Sequence, residues 1–284
     1  LLPRGDTVLI EQETYGGSPS RLDRLGVKMV GIPRDGEGLR TDAVAAALAD
    51  LKAKGVRPKY IYTIPTIQNP TGTILSETRR RELLELSRRY GVPIFEDECY
   101  SDLIWGGERP QSMYGMADGA GVIHIGSFSK TISPALRLGF LVAPVSLISR
   151  FAEVAACLVP PPGPSVQFAV GEFMREGHYL RHLRRTKRAY SAQRDALLGC
   201  LELRSPNAAI TTAGLAVLLP LPDGAPDMSI ARETLAFGLA PTPLSAWYAP
   251  PARRAGLLLG IATTPSRNLA RACDRLWAVV DRFG

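Results

Sequence analysis

Histidine and cysteine are too few and too scattered to build a metal centre. The three histidines are His124, His178 and His182, and the four cysteines are Cys99, Cys157, Cys200 and Cys273. They include no CxxC pair and no histidine at ligand spacing from a cysteine. Reduced thiols in a cytoplasmic protein are therefore the expectation. No apolar run approaches the roughly 18 residues that a membrane-spanning helix needs. The opening Leu1-Leu2-Pro3-Arg4-Gly5-Asp6 has no basic stretch followed by an apolar one, so it does not read as a secretory signal. It also lacks an initiator Met and reads as the interior of a longer domain. Lysine is scarce: only six of the 34 basic residues are Lys, and the arginines are scattered among Ala, Gly and Pro. The net charge of +7 thus reads as compositional bias before it reads as a nucleic-acid footprint.

One basic cluster is dense. Arg181, His182, Arg184, Arg185, Lys187 and Arg188 lie in a stretch with helical periodicity, with Tyr179, Leu180, Leu183 and Tyr190 as its apolar side. It reads as a solvated helix face, or as the seat of an anionic ligand or partner.

With 284 residues, 45% of them hydrophobic, the chain can bury a sizeable core. Short apolar strands are expected at 7–10, 28–32, 59–63, 92–95, 122–125 and 138–142. Helices are expected at 22–25 (ending at Gly26), at 41–54 with Thr41 or Asp42 as cap, at 76–90 with Ser76 as cap and Gly91 as stop, and from Ser146 onward. Strands that are apolar on both faces and alternate with helices predict an α/β fold, a mostly parallel sheet with helices on both faces. A long helix from His178 to about Leu201 follows. Beyond it, strands at 213–219 and 256–261 and helices at 229–237 and 265–283 predict a smaller α+β unit. The expected division is 1–177 and 178–284. The run Pro160-Pro161-Pro162-Gly163-Pro164 is either a plain connection or a segment over a site mouth.

In parallel sheets ligands collect at the carboxyl ends of the strands. Four polar features fall there: Asn69-Pro70-Thr71-Gly72; Asp97 with Tyr100; Ser127-Phe128-Ser129-Lys130; and Arg137. Each has a bland reading, as a turn, as a solvated Glu96-Asp97-Glu98 patch, or as an exposed Lys. Their order is more specific. Asn69 to Asp97 is 28 residues, Asp97 to Tyr100 three, Asp97 to Lys130 33, and Lys130 to Arg137 seven.

With this order the chain resembles the class I/II aminotransferases of fold type I, enzymes that use pyridoxal 5'-phosphate (PLP). It is most similar in flavour to aminoadipate/kynurenine-type enzymes and to the aminotransferase-like domain of MocR-type regulators. The segment Gly126 to Phe140, GSFSKTISPALRLGF, matches most densely.

The resemblance implies that Lys130 supplies the amine for a Schiff base with PLP and then shuttles a proton. It implies that Asp97 faces the pyridine nitrogen, and that Tyr100 and Asn69 bond the ring oxygen. Arg137, Ser127 and Ser129 would hold the phosphate. Tyr15 would lie against the ring, its plainer reading being a partly buried loop tyrosine. A free lysine pKa of roughly 10.4 is unsuited to proton shuttling, so such a site has to lower it.

The match departs in two places. Relatives carry roughly a hundred further residues before Gly5-Asp6, including a loop that grips phosphate at a helix start, so the chain is expected to be part of a longer protein. And Leu258 stands where relatives place an arginine for the substrate carboxylate; Arg253, Arg254 and Arg267 are the possible substitutes.

Three functions follow from the resemblance. The first is amino transfer between an amino acid or amine and a 2-oxo acid. The second is another PLP reaction: decarboxylation, β/γ-replacement or oxidative deamination. The third is the ligand-sensing domain of a MocR-type transcription regulator, which would reach nucleic acid through a segment upstream of Leu1. The implied assembly is a homodimer, with no membrane partner.

Overall fold

The computed structural model describes residues 2–159, 161–249, 254–262 and 266–283. Strand β1 (Thr7–Glu11) is buried at every position and runs parallel to β2 (Lys28–Ile32) in the register Thr7↔Lys28 to Glu11↔Ile32. Helix α1 (Gly17–Arg24) connects them. A two-residue ribbon, β3 (Arg34–Asp35) against β4 (Gly38–Leu39), leads into α2 (Thr41–Ala53). Then come β5 (Ile61–Thr63), α3 (Glu77–Tyr90), β6 (Ile94–Asp97), the single turn α4 (Met113–Met116), β7 (Val122–Ser127) and β8 (Gly139–Val142). The sheet order is β2-β1-β5-β6-β7-β8. All neighbours are parallel except β7 and β8.

Alternate residues of β1 explain the two-sided burial. Leu9 joins the cluster that α2 and α3 cover, with Val44, Leu48, Leu83, Ile94 and Val122. Val8 and Ile10 join the opposite cluster, with Leu22 of α1, Val27, Tyr62 and Ile64. Each such fully buried aliphatic side chain contributes about 1.5–3 kcal/mol. The α/β architecture expected from the sequence is thus observed.

Local signals decide the helix ends. Ser76 Oγ accepts from Arg79 N, and Gly91 closes α3 at φ 64°, a backbone conformation that glycine reaches without steric cost. Helix α2 differs from expectation: its cap position is Arg40, with no side-chain cap bond, and Thr41 is already helical. Two strands also shift. Regular pairing in β5 starts at Ile61, although Lys59 N still donates to Thr7 O. Strand β6 runs to Asp97 instead of stopping at Phe95.

After β8 come α5 (Val145–Leu158), α6 (Pro164–Arg175) and α7 (His178–Glu202). A second, antiparallel sheet has the order β11-β12-β10-β9, built from β9 (Thr211–Ala213), β10 (Ala216–Pro220), β11 (Thr242–Pro243) and β12 (Gly256–Gly260). Helices α8 (Asp227–Thr234) and α9 (Leu269–Val280) complete the chain. Leu197 and Leu201 of α7, Val217, Leu219, Leu257, Cys273 and Trp277 share one buried cluster. Pro160, Arg253 and Pro265 lie outside the described residues.

Candidate active site

Parallel pairing brings the carboxyl ends of β1, β5, β6 and β7 to one edge of the sheet, and the four polar features of the sequence gather along it. Asp97 is the last residue of β6 and Ser127 the last of β7. Asp97 is anchored on both oxygens. Tyr62 on β5 donates its hydroxyl to Oδ2 at 2.7 Å, and Cys99 N donates to Oδ1 at 3.2 Å. Ser18 of α1 in turn donates to the Tyr62 oxygen at 3.3 Å. Burial first, then the Asp97 charge, pushes the Tyr62 phenol well above its ordinary value. It therefore stays protonated and serves as a permanent donor to the carboxylate.

Lys130 lies in the turn after β7, with its Nζ 5.8 Å from the centre of the Tyr100 ring. Burial raises the Tyr100 hydroxyl, and Cys99, Tyr15 and Asp97 add to the rise. The Cys99 thiol is raised by burial and by Asp97, while Lys130 opposes the shift. Tyr100 thus lies near Asp97, Cys99, Tyr15 and Lys130.

Asn69 is buried, and Gln68 beside it fixes the loop. Gln68 Nε2 donates to Glu11 Oε2 at 2.9 Å and to the Glu13 carbonyl at 2.6 Å, while its Oε1 accepts from Thr71 N at 3.1 Å. Ser127 Oγ accepts from Ser129 N at 3.2 Å. Arg137 is exposed, at φ 50°. Among the described residues neither Lys130 nor Arg137 forms an ion pair with a carboxylate. Tyr15 is 43% exposed and meets Trp247 edge-on at 5.6 Å.

The flanking acids are not a solvated patch. Glu96 and Glu98 are buried and share Arg80, itself fully buried, whose NH1 lies 3.7 and 3.6 Å from their carboxylates. Glu96 also accepts from Met113 N at 2.6 Å and Tyr114 N at 3.1 Å, and contacts His124 Nδ1 at 3.0 Å. Asp97 alone of the three faces the strand-end cluster, because successive strand residues point to opposite faces and the odd one lies between two buried neighbours.

Sequence reasoning missed Tyr62, Gln68, His182 and Gly214. His182 contacts the Thr131 carbonyl through Nε2 at 3.0 Å, tying α7 to the lysine turn. Gly214, at φ 58°, lets the β9–β10 turn press on Tyr100; a Cβ there would sit 2.3 Å from the ring. The sequence reading ran one strand through Gly214. The structure splits it there into β9 and β10, and a glycine at the head of the apolar run 215–219 was the signal available for that turn. Leu258 is buried against Leu218 and Leu244. Arg254 is exposed and lies 3.6 Å from Glu13 Oε1; Arg267 is exposed.

Comparison with known proteins finds chains similar in sequence and fold. The model of the family "Aminotransferase class I and II" matches residues 1–276. The chain is 35% identical over 202 residues to an uncharacterized HTH-type transcriptional regulator of Bacillus subtilis (strain 168), YisV, covering 71% of this chain and 41% of that protein. It is 30% identical over 276 residues to aromatic-amino-acid aminotransferase 1 of Thermococcus litoralis, covering 96% of this chain and 66% of that one. The chain therefore spans less than two thirds of the length of either relative. Among solved structures, the α-aminoadipate aminotransferase LysN of Thermus thermophilus, complexed with N-(5'-phosphopyridoxyl)-L-leucine, superposes with a TM-score of 0.89 at 29% identity, covering 99% of this chain and 72% of that one.

Proposed function

Since the chain belongs to the class I and II aminotransferase family, we propose that its strand-end cluster is the cofactor site of a PLP enzyme. In this reading the protein moves an amino group between an amino acid or amine and a 2-oxo acid. The observation that carries the proposal is Lys130 Nζ at 5.8 Å from the Tyr100 ring, in a cluster with an Asp97 that Tyr62 holds in place. The donor set fits the group: an amine and a guanidinium without carboxylate partners among the described residues, two serine hydroxyls, a fixed carboxylate, and two tyrosines.

When bound, PLP supplies an aldehyde that condenses with amines and a ring that takes up the electrons left at the substrate Cα. Lys130 would hold that aldehyde through Nζ and would carry a proton at the same nitrogen. Asp97 would keep the ring nitrogen protonated. Tyr100 and Asn69 would hydrogen-bond the ring oxygen. Arg137, Ser127 and Ser129 would hold the phosphate, the planar guanidinium fork suiting its oxygens. Tyr15 would lie against the ring. The homodimer and the cytoplasmic setting belong to the same reading. α5 has no buried residue and exposes Val145, Leu147, Ile148 and Leu158, which supports a covering partner. All four cysteines are free, and no helix among the described residues is long and apolar enough to cross a membrane.

The test uses the full-length protein with PLP. Addition of amino donors is expected to bleach the visible cofactor band and release a 2-oxo acid. A protein that binds PLP and amine without any such conversion supports a second reading, the sensing domain of a regulator, which the 35% identity to YisV favours. Failure to bind PLP at all defeats both.

A further inference from the structure

The proposed chemistry leaves the outer face of α7 unexplained. Its inner side is occupied: Tyr179 is buried and donates to Asp102 at 2.7 Å, Leu183 packs on the Tyr100 cluster, and His182 reaches Thr131. From Arg181 to Arg188 the exposed positions are all arginine, namely 181, 184, 185 and 188, with Lys187 half-buried beside them. Leu180, expected on the apolar side, is exposed instead.

Many cations on other helices find carboxylates, although Arg21 and Arg24 of α1, Arg89 of α3 and Arg271 of α9 form no ion pair among the described residues. What sets α7 apart is the density of its row. On α3, Arg79, Arg80, Arg81 and Arg88 all pair with acids. Arg150 of α5 pairs with Glu153, Arg175 of α6 with Glu172, and Arg194 further along α7 with Asp195. Among the described residues none of Arg181, Arg184, Arg185, Lys187 and Arg188 forms such a pair; Arg181 reaches only His178. The arginines stand at i, i+3 and i, i+4, spacings at which like charges repel and weaken a helix. An isolated protein gains nothing from that arrangement, whereas a polyanion laid along it removes the repulsion.

We propose that this face docks the phosphate backbone of a nucleic-acid duplex, independently of base sequence and of the proposed amino-transfer reaction. Seven residues of helix span about 10 Å, and a duplex carries one charge per ~1.7 Å of axis, so the row engages several phosphates at once. Guanidinium forks grip phosphate oxygens in pairs. The exposed positions between Arg181 and Arg188 are all arginine, so the row offers a partner charge and paired hydrogen-bond donors, not apolar burial. Beside the row, a hollow of about 470 Å³ is lined by Trp105, Arg184, Lys187, Arg188 and Ser191, with donors for one backbone phosphate. Single strands bind by stacking on open aromatic faces, but Trp105 is the sole aromatic of that lining and Arg194 covers it at 5.0 Å.

The test measures fluorescence anisotropy of a labelled duplex of about 25 base pairs with the intact protein across a KCl series, the range over which phosphate contacts lose affinity. The wild type is expected to bind in a salt-dependent way. The triple variant Arg184→Ala, Arg185→Ala, Arg188→Ala is expected to bind at least ~10-fold more weakly, with a salt slope shallower by about two to three. The charge-keeping variant Arg184→Lys, Arg185→Lys, Arg188→Lys retains most of the binding, and circular dichroism with thermal unfolding verifies that each variant folds. An unchanged affinity and slope in the alanine variant, no duplex binding at low salt, or tighter binding of polyglutamate than of the duplex would overturn the proposal.

Discussion

Tyr62 and Asp97, on adjacent parallel strands, are joined by a hydrogen bond of 2.7 Å from the phenol to Oδ2. The bond orients the carboxylate that is proposed to face the cofactor ring. A hydrogen bond to a charged group is worth about 1.5–3 kcal/mol. Tyr62→Phe keeps the ring in its buried cluster and removes only the donor. We predict PLP affinity at least ~10-fold weaker, read by fluorescence titration, together with a loss of stability of about 1.5–3 kcal/mol for the missing bond. Equal affinity in the variant would remove the positioning role.

Lys130→Ala tests the covalent reading directly. The variant is expected to bind PLP reversibly, to give no lysine adduct after borohydride reduction, and to lose about 10²- to 10⁴-fold in turnover through loss of the proton carrier. Mass spectrometry of the reduced wild type locates the adduct, and modification at any other lysine contradicts the assignment.

Gly214 makes the β9–β10 turn part of the site by closing on Tyr100. A Cβ at φ 58° and 2.3 Å from that ring brings both backbone strain and a clash. Strain of this kind costs of order 1–3 kcal/mol, with the clash added. Gly214→Ala is predicted to lower the melting temperature and to weaken PLP binding together. A fall in stability alone, with PLP affinity intact, would show that the turn supports the fold and not the ring.

How much of this was legible in the sequence depends on what each residue's neighbours are. Lys130, Asp97 and Tyr100 stood out because they follow strand ends in an order that resembles the family's, and the alternation of apolar strands and helices foretold the sheet. Tyr62 was not, since a strand tyrosine between apolar neighbours looks like core until its hydroxyl is seen to end beside a carboxylate. Glu96 and Glu98 looked solvated because their counter-ion, Arg80, comes from a helix 16 residues earlier in the chain whose buried side carries one arginine among leucines. The Arg40 cap of α2 was missed because Thr41 and Asp42 are both better cap formers.

The buried triad beneath the site leads to the last prediction. Glu98 Oε1 accepts from Thr66 Oγ1 at 2.8 Å, while Oε2 is buried without a partner among the described residues. Its carboxyl is pushed from 4.5 up to about 7, chiefly by burial and then by the Glu96 charge, with Arg80 and Thr66 opposing. Between those two values the folded protein holds the proton more firmly than the unfolded chain does. Stability from this group is therefore fully present below about pH 4.5 and is lost as pH rises through about 7. At 1.36 kcal/mol per pH unit the loss is on the order of 3 kcal/mol. Glu98→Gln cannot titrate, keeps an acceptor for Thr66, and leaves Arg80 its contacts with Glu96 and with the Pro65 and Leu75 carbonyls. Its melting temperature should therefore fall less than that of the wild type between pH 5 and pH 7.5, a window that brackets most of this titration. Parallel melting curves for the two proteins across that range would show that residue 98 keeps one charge state throughout, and that Arg80 compensates both acids.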